Sequence, residues 1–237
     1  NHKNFSVRDK NFYIKKSFDV GLNLLKENNS VALINGPISK STFLKGKYNG
    51  ITEYLASKTR SLNEVMLIFN KELSVSPITT HVPINKVSQK IKKGVIIKKI
   101  NNINEFYKKF LGVKPTIAVT GLNPHCETFA GKNIEKEEIL PAIKILKKKK
   151  MKIFGPLSAD TVFLKENRKK FNVIVGMYHD QVLTPIKSLY EYDAINITLG
   201  LPFIRISPDH GPNEKMIGKN KSNPLSLIRA INFLEKN

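Results

Sequence analysis

The stretch Asn172-Val173-Ile174-Val175-Gly176-Met177-Tyr178-His179-Asp180 decides the fold. Its apolar start, Asn172 to Gly176, is short, rich in β-branched residues and unbroken, the pattern of a strand buried on both faces. An imidazole and a carboxylate follow directly. Two other stretches repeat the layout: Val75 to Thr80 precedes His81, and Thr116 to Thr120 precedes Gly121-Leu122-Asn123-Pro124-His125. Strands of this kind alternating with helical patterns predict an α/β architecture with a largely parallel sheet. Ligands of open α/β sheets sit in the crevice beyond the carboxyl ends of the strands, so three imidazoles delivered to one edge can meet at one metal ion. A site with three protein ligands keeps a position open for substrate.

Working outward, Phe18 to Glu27 spaces Val20, Leu22, Leu24 and Leu25 as a helix, and Ser30 to Ile34 follows as a strand ending at Asn35-Gly36-Pro37. Thr52 to Ala56 opens a further helix. Leu62, Val65, Met66 and Phe69 form a helical stripe that predicts a core-facing helix over Ser61 to Phe69. Asn85 to Lys93 and Ile103 to Phe110 are amphipathic. Glu135 to Lys149 has an acidic start and a Lys-rich end, which suits a helix dipole. Lys152 to Phe154 leads as a strand into Gly155-Pro156-Leu157-Ser158-Ala159-Asp160, and the last helix begins near Pro224.

At 237 residues and 41% hydrophobic content the chain can bury a sizeable core. No run approaches the eighteen or so apolar residues of a membrane span. One cysteine, Cys126, excludes an internal disulfide and favours a reducing compartment, so the cytoplasm is the expected location. The formal charge is +21, but 35 of the 40 basic residues are Lys and five are Arg. Base edges and bidentate phosphate contacts favour Arg, so an anionic small substrate is the expected partner rather than nucleic acid or membrane.

Asp180 and Asp160 accompany the histidines and suit either orientation of a ligand imidazole or proton transfer; Asp160 suits a helix cap equally. Lys187, Asn196 and Arg205 fall in or beside apolar sequence, where an unpaired charge is costly. A bound anion would satisfy them. The alternatives are a salt bridge from Arg205 to Asp209 or Glu191 and a snorkelling Lys187. His210 is a fourth imidazole in the loop after Phe203 to Ser207. Ser39-Lys40-Ser41-Thr42 offers a further anion cradle without Walker spacing, and no Gly-x-Gly-x-x-Gly fingerprint follows any strand.

Six ordered motifs span the chain from about Val31: Asn35-Gly36-Pro37-Ile38-Ser39-Lys40, Thr79-Thr80-His81-Val82-Pro83, Gly121-Leu122-Asn123-Pro124-His125, Gly155-Pro156-Leu157-Ser158-Ala159-Asp160-Thr161, Met177-Tyr178-His179-Asp180-Gln181, and Asn196 through Arg205. Together they closely resemble the 4-hydroxythreonine-4-phosphate dehydrogenase family of pyridoxal phosphate biosynthesis. The resemblance implies a two-lobed α/β/α fold like that of the isocitrate and isopropylmalate dehydrogenases, with residues 1–237 as one two-lobed catalytic unit. It implies a divalent metal (Zn, Mg or Co) on His81, His125 and His179, shared across a homodimer interface. It implies substrate contacts from Thr52, Lys187, Asn196 and Arg205, active-site roles for Asp160 and Asp180, and NAD or NADP as oxidant. The implied reaction oxidises 4-phosphooxy-L-threonine to a 3-keto acid that decarboxylates to 3-amino-2-oxopropyl phosphate; the alternatives are the same chemistry on a related phosphorylated or carboxylated 3-hydroxy acid, or a truncated inactive relative. Three departures stand out: Ile51 replaces a histidine before Thr52, Cys126-Glu127-Thr128 replaces a small residue, glycine and an acid, and the family's N-terminal Gly-Asp-Pro-Ala-Gly-Ile-Gly type segment is missing.

Overall fold

Eight strands among the described residues form one mixed sheet: β1 (Ala32–Ile34), β2 (Val65–Phe69), β3 (Ser74–Thr79), β4 (Thr116–Thr120), β5 (Lys152–Leu157), β6 (Val173–Tyr178), β7 (Ile195–Leu199) and β8 (Ile204–Pro208). Their order is β1-β8-β7-β2-β3-β6-β4-β5. The structure is a computed structural model that describes residues 6–27, 30–39, 43–44, 47–48, 50–62, 64–127 and 133–235.

The half of the sheet built from β3, β6, β4 and β5 is parallel, as the alternation of strand and helix predicts. The other half departs from that expectation. Strand β2 runs antiparallel to both β3 and β7, and β7 antiparallel to β8, while β1 pairs parallel with β8. The cause is local. After Phe69 the chain turns at Asn70, whose Oδ1 accepts the Glu72 N–H at 2.9 Å, and so short a connection can only join antiparallel strands.

This hairpin also overturns the helix expected over Ser61 to Phe69. Val65, Met66, Leu67, Ile68 and Phe69 are a strand paired on both sides, and Leu62, placed in the core by the helical stripe, is 90% exposed. A short apolar run satisfies either period, and pairing on two sides decides between them.

The helices are α1 (Val7–Lys26), α2 (Ile51–Thr59), α3 (Val87–Lys90), α4 (Lys93–Phe110), α5 (Leu140–Lys148), α6 (Ala159–Val162), α7 (Lys165–Arg168), α8 (His179–Tyr190) and α9 (Leu225–Glu235). Helix α1 starts well before Phe18 because Ser6 and Asp9 form a reciprocal capping box. Residues Glu135–Ile139 form a π-helical turn that runs into α5. No helix among the described residues is long and apolar enough to cross a membrane.

Alternation along the strands divides the core. Val65, Leu67, Ile195 and Ile197 face Ile96, Ile100 and Ile103 of α4 and Phe233 of α9. On the opposite face Met66, Ile68 and Ile174 pack with Val182 and Ile186 of α8, and a second cluster joins Phe18 and Leu22 of α1 to Ile51, Tyr54 and Leu55 of α2. Leu67→Ala should therefore destabilise the chain by about 2–5 kcal/mol, whereas Leu62→Ser should change stability by less than about 0.5 kcal/mol. Urea unfolding of both variants checks the strand assignment, and comparable losses would restore the helix.

Candidate active site

Between α2 and α8 a cleft of about 590 Å³ lies over β2, β7 and β8. Its floor is set by strand parity. Asn196 on β7 and Arg205 and Ser207 on β8 point into the cleft, while Ile195, Ile197 and Ile206 enter the core behind them. Thr52, at the start of α2, and Lys187, on α8, line the walls. All four residues expected to touch substrate thus share one cavity. It lies over the sheet face rather than only beyond the strand ends.

Arg205 is 3% exposed. Its Nε donates to Asn35 Oδ1 at 2.8 Å and its Nη1 to Thr198 Oγ1 at 3.1 Å. Thr198 Oγ1 also lies 3.4 Å from Thr52 Oγ1. Neither Asp209 nor Glu191 pairs with the guanidinium, and no carboxylate lies within salt-bridge distance of it among the described residues. Burial pushes its pKa down to about 10, against a smaller opposing influence of Glu53. Asn196 Oδ1, also buried, has no hydrogen-bond partner among the described residues. A buried acceptor in this state asks for an N–H or O–H from a ligand.

Lys187 does not snorkel. Its Nζ lies 2.6 Å from Asp209 Oδ2 and also donates to the Asp209 backbone carbonyl. Burial raises the Asp209 carboxyl, with Lys187 pulling the other way. Asp209 is itself fixed by Ser226, whose Oγ accepts the Asp209 N–H at 2.9 Å. His210 lines the same end of the cleft, 6.0 Å from the Tyr192 ring.

The parallel half of the sheet places His81, His125, His179 and Asp160 after β3, β4, β6 and β5, at one edge. His81 and His179 come together in the cleft with ring centroids 5.8 Å apart. His125 does not join them. It sits in a tight turn with φ of 52° and is 63% exposed. The imidazoles have one feature in common. His81 Nδ1 faces Glu53 Oε1 at 3.7 Å, His125 Nδ1 faces Asp160 Oδ2 at 3.7 Å, and His179 Nδ1 lies 2.6 Å from Asp180 Oδ1. Asp160 therefore looks towards an imidazole, and Ser158, not Asp160, is the cap residue of α6.

A divalent cation suits imidazole donors backed by carboxylates. Among the described residues no three His, Cys, Asp or Glu side chains are grouped closely enough to hold an ion. The anion cradle expected at Ser39-Lys40-Ser41-Thr42 lies outside the described residues from Lys40 to Thr42. Glu53 is a site residue that the sequence did not single out, Asn35 and Thr198 stood there only inside longer motifs, and Asp209 only as a candidate partner of Arg205. Glu53 and Thr198 do stand next to, or two residues from, positions that sequence picked out.

A buried cation held by two neutral side chains is a poor investment for stability alone. Arg205→Met should leave the melting temperature of the ligand-free chain within about 2 °C of the original or raise it. Calorimetry on both forms measures this, and a drop of many degrees would make Arg205 a structural residue.

A profile of the family "Pyridoxal phosphate biosynthetic protein PdxA" matches residues 7–234. A 4-hydroxythreonine-4-phosphate dehydrogenase of Sulfurihydrogenibium sp. (strain YO3AOP1) is 45% identical over 212 residues, 86% of this chain and 64% of that protein. The chain thus spans less than two thirds of that relative's length. The solved 4-hydroxythreonine-4-phosphate dehydrogenase of Burkholderia phymatum superposes with a TM-score of 0.74 at 33% identity, covering 95% of this chain and 68% of that one. That of Klebsiella pneumoniae gives 0.74 at 32% identity over 90% and 66%. A family match that runs almost end to end, with relatives and solved structures that agree with it, leads to one conclusion: the chain belongs to the PdxA family of pyridoxal phosphate biosynthetic proteins.

Proposed function

We propose that this chain carries the substrate cleft of a metal-dependent, NAD(P)-linked dehydrogenase of 4-phosphooxy-L-threonine. The product is a 3-keto acid that loses carbon dioxide to give 3-amino-2-oxopropyl phosphate. The observation that carries the proposal is Arg205: a guanidinium 3% exposed on a cleft floor, oriented by Asn35 and Thr198 and paired with no carboxylate among the described residues. Such a group is satisfied by an anion from outside, and charge-assisted hydrogen bonds of this kind contribute roughly 1.5–3 kcal/mol each.

Each cleft residue then has a task. Arg205 binds an anionic end of the substrate, and Lys187, steadied by Asp209, supplies a second cation to the same cleft. Asn196 Oδ1 accepts from a substrate N–H or O–H, and Thr52 completes the wall. His81 and His179 of one copy, with His125 of a second copy, would hold the divalent cation; the exposure of His125 and its separation from the other two support a homodimer with a shared site. When bound, that cation lowers the pKa of the alcohol to be oxidised. Asp160, Asp180 and Glu53 face Nδ1 of their imidazoles, which leaves Nε2 as the coordinating nitrogen, and their part in catalysis goes through the rings they orient. The cytoplasm suits a chain with one cysteine.

Ile51 favours a second reading. It is 8% exposed, lines the cleft, and offers no polar contact where the family has a histidine. A related phosphorylated or carboxylated 3-hydroxy acid would fit the same cations.

NADH or NADPH formation with a panel of 3-hydroxy acids and added divalent metal tests the substrate; turnover of 4-phosphooxy-L-threonine is expected, and turnover of a relative alone would replace it. His125→Ala and His179→Ala should each lose turnover. Mixed after unfolding and refolding together, the two should regain roughly a quarter of the native activity, because half of the randomly paired dimers hold one intact site. No recovery would contradict a site shared between copies.

A further inference from the structure

We propose that Glu135 and Gln181 are positioning residues that together fix the segment Gly121–Asn123 and so set where His125 stands relative to its partners in the metal site. The inference rests on the metal reading above and assigns two side chains that touch neither cation nor substrate.

The segment in question joins β4 to the turn that bears His125. Nearly every polar group along it is held. The Gly121 N–H donates to Leu157 O at 3.0 Å, which ties it to the strand leading to Asp160. The Gly121 carbonyl accepts from Gln181 Nε2 at 2.9 Å. The N–H groups of Leu122 and Asn123 both donate to Glu135 Oε1, at 2.9 and 2.8 Å, and Asn123 Nδ2 donates to Glu135 Oε2 at 3.1 Å.

Gln181 serves two of the three strands that lead to imidazoles. Its Oε1 accepts the Met177 N–H at 2.7 Å, at the end of β6 just before His179, and the Thr120 hydroxyl at 2.9 Å, at the end of β4. The backbone makes room for it. A Cβ at Gly176 would lie 3.0 Å from Gln181 Oε1 and 2.4 Å from Val182 Cγ1, and one at Gly121 would lie 2.7 Å from Cys126 Sγ.

Glu135 is 1% exposed. As the acidic start of a helix it would be expected at the surface, yet the π-helical turn Glu135–Ile139 carries it inward. Such turns recur at functional sites. A buried carboxylate carries a desolvation cost, offset here by three hydrogen bonds that all end on one short segment, so its burial ties that segment to the π-helical turn.

Cobalt(II) titration of the chain, followed by its visible absorption, tests the proposal, with far-UV circular dichroism to verify folding and the His125 imidazole resonances in the metal-free chain as a second readout. Glu135→Ala and Gln181→Met should weaken cobalt binding tenfold or more and shift the His125 resonances. Glu135→Gln keeps an oxygen facing both amides and should restore binding to within a few-fold of native. Gln181→Glu places an oxygen against the Gly121 carbonyl and should not restore it. Unchanged cobalt affinity in Glu135→Ala, beside complete loss in His125→Ala, overturns the positioning role and leaves the metal reading standing. Unchanged affinity in His125→Ala overturns the metal reading. The His125 resonances then decide: a shift in Glu135→Ala upholds the fixing of the segment, and no shift overturns it.

Discussion

Strand pleating over three adjacent strands is the constraint on which the site depends. Along β2, β7 and β8 alternate residues go to opposite faces. One set, with Val65, Leu67, Ile195, Ile197 and Ile206, closes the main core against α4 and α9. The other set, with Met66, Ile68, Asn196, Arg205 and Ser207, floors the cleft. A slip of one residue in β7 or β8 would bring Arg205 or Asn196 into the core and turn the isoleucines outward. The apolar face therefore fixes the polar one. The burial energy of the core holds the guanidinium in a place where it contributes little to folding.

That coupling explains why much of the site was legible in the sequence. Arg205 and Asn196 stood out because they are polar residues in apolar runs, and their strands do place them on a shared face. The three histidines stood out by following apolar runs, and the parallel pairing of β3, β6 and β4 does bring those strand ends to one edge. What sequence could not supply was pairing between strands far apart in the chain. Val65 to Phe69 fits a helical stripe as well as a strand, and only its neighbours β3 and β7 settle the matter. The antiparallel half of the sheet escaped notice for the same reason.

Partners of the charged groups were the least legible. Asp209 and Glu191 were the candidates to neutralise Arg205, yet Asp209 pairs with Lys187 and Arg205 rests on Asn35 and Thr198. These contacts join residues separated by 22 and 170 positions for Lys187 with Asp209 and Arg205 with Asn35. Nothing in residue type distinguishes them beforehand. Glu135 makes the same point from the other side: its position beside other acids suits a solvated helix start, and only the folded chain shows it buried against Leu122 and Asn123.

The two cations of the cleft differ in how they are held, and the difference bears on what each can do. Lys187 meets Asp209 directly, so an arriving anion competes with an existing carboxylate and gains less. Arg205 instead has neutral partners whose hydrogen bonds orient the guanidinium without cancelling its charge. Its desolvation is already complete before any ligand arrives, and the penalty is carried by the folded chain rather than by the encounter. An anion reaching Arg205 therefore recovers more of the interaction than one reaching Lys187. On the proposed reading, the more strongly charged end of a substrate is better served by the arginine, and the weaker one by the lysine with its carboxylate.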